Sequence, residues 1–178
     1  MTIKRFIFRG IFRYVLRVRA FNNRLIKGFA KGMKNKKILE IGSGKKYRGK
    51  HYYSVKNCFD DSNEFIMSDI KEEYGHKVVD VTNMDYENEF NVVLCLNVLE
   101  HVFNFNQAVE NIHKALKPNG VAIIAIPFFY PLHDEPYDYW RFTKYSLERL
   151  FKRFDDFKIK HYGLREFPFF YYVEAIKK

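Results

Sequence analysis

The chain has 178 residues, enough for one domain around a single core and too few for two full domains. A content of 47% hydrophobic and 19% aromatic residues indicates a folded globule and excludes a disordered chain. No run of about 18 uncharged apolar residues is present, so a helix spanning a membrane is excluded. Cys58 and Cys95 lie far apart and no secretory signal precedes them, so we expect a reducing, cytoplasmic location.

The net charge of +10 is concentrated at the N-terminus. Of the 31 lysines and arginines, 12 precede Glu40 and 19 follow it, whereas all 21 acidic residues lie from Glu40 onward. The rest of the chain is therefore nearly neutral. We predict a basic N-terminal arm of residues 1–36 and a domain of residues 37–178.

The arm is predicted to form a basic amphipathic helix from Ile3 to about Phe29. Bulky apolar residues recur along it, and Arg5, Arg9, Arg13 and Arg17 share one helical stripe. Such a helix could pack on the domain, lie on an anionic membrane surface or follow a nucleic-acid backbone. Packing on the domain is favoured, and nucleic acid is favoured least.

The stretch KILEIGSG at residues 37–44 is predicted to be a buried strand followed by a glycine turn. Gly42 and Gly44 allow the backbone to pass close to a ligand, and ligands of open α/β sheets bind at this carboxyl edge. A dinucleotide fingerprint would need glycine at position 47, where Tyr47 stands. The pattern is instead an acidic residue, Glu40, placed two residues before the first glycine.

Three further strands are expected before residue 100. Residues 63–69 end in Asp69, which is positioned to accept hydrogen bonds from the ribose hydroxyls of an adenosine cofactor. Residues 76–81 form a short third strand, and residues 90–96 form a fourth that is buried on both faces. Between the first two strands, the usual crossover helix is expected to be short, irregular or missing.

The second half of the chain continues this alternation. A helix is predicted over residues 106–116, a fifth strand over 121–126 and a helix over 146–154 with Thr143 or Ser146 as its N-cap. Residues 157–162 and 171–176 are candidate final strands, antiparallel at the edge of the sheet.

Four motifs together carry a resemblance to a known family: EIGSG at 40–44, NVLEHV at 97–102, LKPNG at 116–120 and DYWRFT at 138–143. They resemble the type 11 branch of the class I S-adenosylmethionine-dependent methyltransferases. The DYWRFT segment looks like a bacterial subgroup associated with glycan biosynthesis. The resemblance implies an α/β, Rossmann-like sheet, mostly parallel with an antiparallel C-terminal edge strand, with helices on both faces.

The same resemblance implies an enzyme with S-adenosyl-L-methionine as its cofactor. The residues at matching positions would surround the amino-acid moiety, the ribose, the adenine and the methionine arm: Glu40, Gly42, Ser43, Gly44, Asp69, Asp80, Val81, Leu96 and Asn97. Because the sulfonium methyl group is already activated, few catalytic side chains are needed beyond those that align the acceptor.

A hydroxyl acceptor would need a base, and His101 and His133 are the candidates because both follow strands at the carboxyl edge. Tyr139, Trp140 and Arg141 are candidates for binding the acceptor. The fork of Arg141 suits a carboxylate or phosphate, although an ion pair with Asp138 or Glu135 is an equal alternative.

Some related enzymes bind a divalent metal through the motif E-x-x-E-H. This chain has Asn97 at the first position and keeps Glu100 and His101, so two ligands remain. We therefore predict that no metal is required.

The first hypothesis is methyl transfer to a small-molecule or glycan acceptor, with O-methylation expected and the arm making peripheral contact with an anionic inner membrane face. The alternatives are a nucleic-acid methyltransferase and a non-catalytic protein that binds S-adenosylmethionine. The sequence does not indicate the oligomeric state.

Overall fold

The computed structural model describes residues 3–47, 50–51 and 53–178, and the side chains of residues 17–45 and 53–178. Three α-helices are present in this part of the chain: α1 (Ile3–Ala30), α2 (Phe105–Ala115) and α3 (Lys144–Leu150). The strands are β1 (Lys37–Ile41), β2 (Lys46–Tyr47), β3 (Lys50–His51), β4 (Glu64–Asp69), β5 (Lys77–Val78), β6 (Phe90–Leu96), β7 (Leu116–Pro127), β8 (Asp156–Gly163) and β9 (Pro168–Ile176).

Seven of these strands form one sheet in the order β5-β4-β1-β6-β7-β9-β8. The first five are parallel, and β9 pairs antiparallel with both β7 and β8. β1 lies in the interior of the sheet because it pairs with β4 on one side and β6 on the other, and its residues Ile38 and Leu39 are fully buried. The predicted fold class is thereby confirmed.

Helix α1 packs its C-terminal half on one face of the sheet. Ile26 and Ala30 belong to an apolar cluster with Ile38 of β1, whereas Val18 contacts the cluster of Ala125 and Phe170. Ile38 lies near the amino end of β1, and Ala125 lies near the carboxyl end of β7. The helix therefore runs antiparallel to the parallel strands, and its N-terminal half points toward their carboxyl edge.

Several elements have bounds that differ from the sequence-based expectation, and β9 begins at Pro168 and not at residue 171. The third strand is only Lys77–Val78, since the following residues turn through a hydrogen bond from Asn83 N–H to the Asp80 carbonyl. The fifth strand begins at Leu116, not 121, because Leu116 pairs with Phe90 across a bulge. The predicted helix at 146–154 is α3 followed by a separate 3-10 turn, Phe151–Arg153.

The connection from β1 to β4 contains no α-helix among its described residues, as expected. The short hairpin of β2 and β3 and a 3-10 turn, Lys56–Cys58, occupy this position. Thr143 caps α3 through a reciprocal capping box with Ser146. None of the helices described here is both long and apolar enough to cross a bilayer.

Candidate active site

The carboxyl ends of β1 and β4 are tied together by one acidic side chain. The Asp69 carboxylate accepts hydrogen bonds from the backbone N–H of Gly44 at 2.9 Å and from that of Lys71 at 3.1 Å. His76 holds the same turn through a 2.8 Å hydrogen bond between Nε2 and the Gly44 carbonyl. Asp69 and the glycine turn therefore form one structural unit at the edge of the sheet.

Glu40 lies beneath this turn with only 1% of its surface exposed. Its carboxylate accepts hydrogen bonds from the Ser43 hydroxyl at 2.7 Å and from the Val55 backbone N–H at 2.8 Å. Burial raises the pKa of Glu40, and these donors oppose that shift. In this arrangement Glu40 shapes the glycine turn and anchors the segment that follows the β2–β3 hairpin.

The two glycines of the turn have left-handed backbone conformations, with φ of +73° at Gly42 and +67° at Gly44. A Cβ atom at Gly42 would overlap with Cγ2 of Val98, and one at Gly44 would lie 2.6 Å from Cδ2 of Tyr53. Both positions therefore need glycine for conformation and for space. Tyr53 covers the turn, which the sequence did not indicate.

The predicted adenine-side residues lie farther along the same edge. The exposed Asp80 carboxylate accepts hydrogen bonds from the Thr82 backbone N–H at 2.8 Å and hydroxyl at 2.7 Å. Val81 is buried, and its carbonyl accepts a 3.0 Å hydrogen bond from the Asn111 side chain. An open hollow adjoins them, lined by Val78, Val79, Asp80, Asn83, Met84, Asp85 and Tyr86.

Leu96 and Asn97 lie at the carboxyl end of β6, between the glycine turn and β7. Asn97 is exposed and has a φ of +55°, and its backbone N–H donates to the Ala125 carbonyl at 2.8 Å. Leu96 is half-buried against the clusters beneath α1. The Leu96 side chain therefore packs on the core, and the exposed Asn97 lies at the edge where a cofactor would lie.

Glu100, His101 and His133 converge beside this edge. One ligand atom from each lies within 4.8 Å of the others. The two imidazole rings meet edge to face with centroids 4.7 Å apart, and Nε2 of His101 is 3.9 Å from Oε1 of Glu100. The sequence identified both histidines as candidates but did not bring His133 together with Glu100.

Both imidazoles are oriented by backbone carbonyls. Nδ1 of His101 lies 3.1 Å from the Tyr137 carbonyl, and Nδ1 of His133 lies 3.1 Å from the Pro131 carbonyl. These contacts favour the tautomers with a proton on Nδ1, which leave Nε2 as an acceptor. Burial lowers the pKa of His101, which favours its neutral imidazole.

Glu100 is fully buried, and neither of its carboxyl oxygens has a hydrogen-bond partner among the described residues. Burial raises its pKa to about 8, so the carboxyl is mostly protonated at neutral pH. Its backbone carbonyl accepts hydrogen bonds from the N–H groups of Tyr139 and Trp140. Glu100 therefore joins the histidine pair to the predicted acceptor-binding loop.

Arg141 makes the ion pair that was the alternative to acceptor binding. Its Nη1 lies 2.6 Å and its Nη2 2.8 Å from the two carboxylate oxygens of Asp138, and Nη2 also donates to the Tyr130 carbonyl. This bidentate contact holds the pKa of Asp138 well below its usual range. Asp138 in turn accepts the backbone N–H of His133 at 3.0 Å, so the pair positions His133.

Tyr139 and Trp140 belong to an aromatic surface next to the histidine pair. Phe103 meets Tyr139 with ring centroids 5.4 Å apart and Trp140 at 5.8 Å, and Phe105 meets Trp140 at 5.3 Å. Phe103 and Tyr139 are exposed. An apolar or planar group could therefore bind beside His101.

The cluster of Glu100, His101 and His133 also has the chemistry of a divalent-metal site, with one more ligand than the sequence alone suggested. Because the Glu100 carboxyl is mostly protonated at neutral pH, an ion would have to displace that proton to bind. The absence of a required metal stays a prediction.

Comparison with known proteins identifies the family. A model of the methyltransferase domain matches residues 12–162. The ubiquinone biosynthesis O-methyltransferase of Rickettsia conorii is 44% identical over 45 residues, which are 25% of this chain and 16% of that protein. The match thus spans a small part of the curated relative.

Solved structures share the fold at low sequence identity. Phosphoethanolamine N-methyltransferase 2 of Haemonchus contortus, in complex with S-adenosyl-L-methionine, aligns with a TM-score of 0.68 and 15% identity over 88% of this chain and 52% of that one. A possible histamine N-methyltransferase of Thermotoga maritima aligns with a TM-score of 0.62 and 20% identity over 96% of both chains. The chain therefore belongs to the methyltransferase domain family and has the fold of the class I S-adenosylmethionine-dependent methyltransferases.

Proposed function

We propose that this chain transfers the methyl group of S-adenosyl-L-methionine to a hydroxyl of a small-molecule or glycan acceptor. The observation that carries the proposal is the placement of two units on one edge of the sheet. The turn held by Asp69 and Gly44 lies at the ends of β1 and β4, and the pair of His101 and His133 follows β6 and β7.

The cofactor would lie across the carboxyl ends of β1, β4 and β6, with its positively charged sulfonium supplying an activated methyl group. Asp69 would bind the ribose hydroxyls while keeping its hold on Gly44. Asp80 and Val81 would border the adenine, and Gly42, Ser43, Gly44 and Asn97 would border the methionine portion. Glu40 would contribute through the shape of the turn, because its carboxyl is already engaged by Ser43 and Val55.

The side chains of this protein would align the acceptor hydroxyl and accept its proton. The bound cofactor would supply a methyl group activated for transfer to the acceptor oxygen, with sulfur as the leaving group that would keep the electron pair of the carbon–sulfur bond. The hydroxyl proton passes to Nε2 of His133 or His101, because Nδ1 of each ring faces a carbonyl. The pair of Asp138 and Arg141 keeps His133 in place through the His133 backbone.

The acceptor would rest against the aromatic surface of Phe103, Tyr139 and Trp140. Oxygen as the methylated atom agrees with the name of the rickettsial relative, an O-methyltransferase. The Haemonchus and Thermotoga proteins are named as N-methyltransferases, so the fold by itself does not select the atom. A glycan acceptor is supported by the DYWRFT resemblance, and peripheral membrane contact by the basic charge of α1.

The proposal is tested by incubating the chain with cofactor labelled in the methyl group and fractionated cell extract, followed by identification of the labelled product. A labelled methyl ether on a small molecule or glycan is the expected result. Label in nucleic acid, or no transfer to any fraction despite cofactor binding, would contradict it. The variant His133→Ala in the same extract separates enzymatic from spontaneous labelling.

A further inference from the structure

The carboxyl edge of the sheet is also where exposed apolar side chains are found next to α1. Leu132 is 71% exposed, Leu164 72% and Phe167 46%. Leu132 follows β7, and the other two lie in the loop between β8 and β9. We call these three residues the apolar tip. The exposed side chains of Leu132 and Leu164 are not part of the hydrophobic core.

A continuous row of aromatic rings connects the apolar tip to α1. Phe21 of α1 lies 5.5 Å from Tyr162, measured between ring centroids, and Tyr162 lies 6.1 Å from Phe169. Phe169 is 5.5 Å from Phe167, which packs at 5.0 Å on Phe129 at the start of the loop that carries Leu132. The helix and the tip therefore belong to one surface.

Helix α1 passes the carboxyl edge at Val18, where it contacts Ala125 and Phe170. Its preceding part, Ile3–Arg17, adds about 22 Å of helix beyond this level at 1.5 Å per residue. That segment contains Lys4, Arg5, Arg9, Arg13 and Arg17 and no acidic residue. At the same edge, Arg19 of α1 lies 5.8 Å from the ring centroid of Tyr53, the residue that covers the Gly44 turn.

We propose that the N-terminal part of α1 and the apolar tip together dock the chain on an anionic lipid bilayer, with the carboxyl edge and its candidate active site facing the membrane. A cationic helix and exposed aliphatic and aromatic side chains lie on one side of the molecule. This combination is typical of a surface that binds at a membrane interface.

The observations favour a bilayer over a nucleic acid. Leu132 and Leu164 offer neither charge to a phosphate backbone nor a ring for stacking on a base, whereas acyl chains accept both side chains. The two loops that form the apolar tip carry no excess of positive charge. Glu166 follows Arg165 in one loop, and Asp134 and Glu135 lie shortly after Leu132 in the other. The attraction to anionic headgroups therefore comes from α1, and the tip contributes apolar insertion.

The biological meaning of this docking rests on the proposed function. The acceptor would be a molecule held at the membrane surface, such as a lipid-linked one. The methyl-accepting hydroxyl would reach His101 and His133 from the bilayer side. Docking itself can be measured without any acceptor.

The test is flotation of the full chain with vesicles of phosphatidylcholine alone and of equal parts phosphatidylcholine and phosphatidylglycerol. Binding to the anionic vesicles and not to the neutral ones is expected. Arg9→Gln/Arg13→Gln should weaken it roughly 25-fold, at about fivefold for each charge removed. Leu164→Ser/Phe167→Ser should weaken it by at least about tenfold.

A matched control lies on another surface. Lys152→Gln/Lys158→Gln removes two exposed charges near the amino edge of the sheet. This variant should bind vesicles like the wild type. Calorimetry with S-adenosylmethionine should give Leu164→Ser/Phe167→Ser the affinity of the wild type, which separates docking from the cofactor site.

The proposal is overturned if the wild type does not bind anionic vesicles, or if Leu164→Ser/Phe167→Ser binds them as tightly as the wild type does. It is also overturned if duplex RNA or DNA displaces the vesicles and binds that variant undiminished, because the surface is then a nucleic-acid site. A concentration-dependent dimer that the same variant abolishes would assign the surface to a second copy of the chain. If the wild type binds vesicles as expected but not the cofactor, docking is supported and the proposed function fails.

Discussion

The carboxylate of Asp69 accepts a hydrogen bond from the backbone N–H of Gly44 at 2.9 Å, so this side chain links the end of β4 to the glycine turn that follows β1. This contact shapes the place where the proposed cofactor would lie. It also means that a substitution at Asp69 acts on both the ribose contact and the turn.

Replacing Asp69 by alanine should reduce the affinity for S-adenosylmethionine by roughly 10- to 100-fold, since hydrogen bonds to a charged group contribute about 1.5–3 kcal/mol. Calorimetry measures the loss. Asp60→Ala, which removes an exposed carboxylate with a local bond to Ser62, is the control and should leave affinity unchanged. Unchanged affinity in the Asp69 variant would remove the ribose assignment.

The variant His133→Ala should abolish methyl transfer and leave cofactor binding intact, because His133 contacts His101 in the loop after β7, whereas the cofactor would lie across the ends of β1, β4 and β6. Turnover is measured with labelled cofactor and affinity by calorimetry. His161→Ala, on the exposed part of β8, is the matched control and should retain both properties. Wild-type rates for His133→Ala would show that this imidazole is not the base.

The buried carboxyl of Glu100 should make stability depend on pH. Its pKa is raised from 4.5 to about 8, so the folded chain keeps a proton that the unfolded chain releases. Between these two values stability falls as the pH rises, by a few kcal/mol in total, and the contribution is fully present below pH 4.5.

Glu100→Gln removes this titration, so its free energy of unfolding in urea should change less between pH 5 and pH 8 than that of the wild type. Glu87→Gln, which changes an exposed carboxylate, should behave like the wild type. An identical pH slope for wild type and Glu100→Gln would show that Glu100 titrates normally.

Gly42→Ala should destabilise the fold by about 2–4 kcal/mol, combining a left-handed backbone with overlap on Val98. Urea unfolding measures the change. Adding Val98→Ala should recover part of it, because the overlapping methyl group is then gone. Gly28→Ala, in α1 with open space around it, should be neutral or slightly stabilising. Full stability of Gly42→Ala would contradict this account of the turn.

Treatment with a chelator should leave methyl transfer unchanged. The reason is that Glu100 is mostly neutral at neutral pH and Asn97 replaces the first acidic ligand of the E-x-x-E-H pattern. Activity lost on chelation and restored by magnesium would instead assign Glu100, His101 and His133 to a metal.

Hydrophobic pattern and turn residues were sufficient to predict the central strands and α1. β1 lies within the stretch 37–44 that was predicted to hold a strand and a glycine turn. β6 has its predicted bounds, because a buried parallel strand is typically a nearly continuous apolar run. β5 is shorter than predicted because edge pairing stops after Val78, and β7 is longer because Leu116 finds a partner in Phe90. Such pairings depend on distant residues that a local pattern does not contain.

The candidate site could likewise be predicted from the sequence only in part. Asp69 and Gly44 could be placed from their positions after strands. The ion pair of Arg141 with Asp138 was one of two equal alternatives from the sequence. The contact of Glu40 with Val55 and the contact of His133 with Glu100 could not be predicted. Each of these contacts is formed by loops whose paths depend on tertiary packing, with no periodic signal in the sequence.

The central claim is that the carboxyl edge of this sheet binds S-adenosylmethionine, and its most direct test is titration calorimetry of the wild-type chain with that cofactor. The account predicts saturable binding of one molecule per chain, with S-adenosylhomocysteine competing for the same site. No heat of binding for either molecule, from a chain shown to be folded, would contradict it.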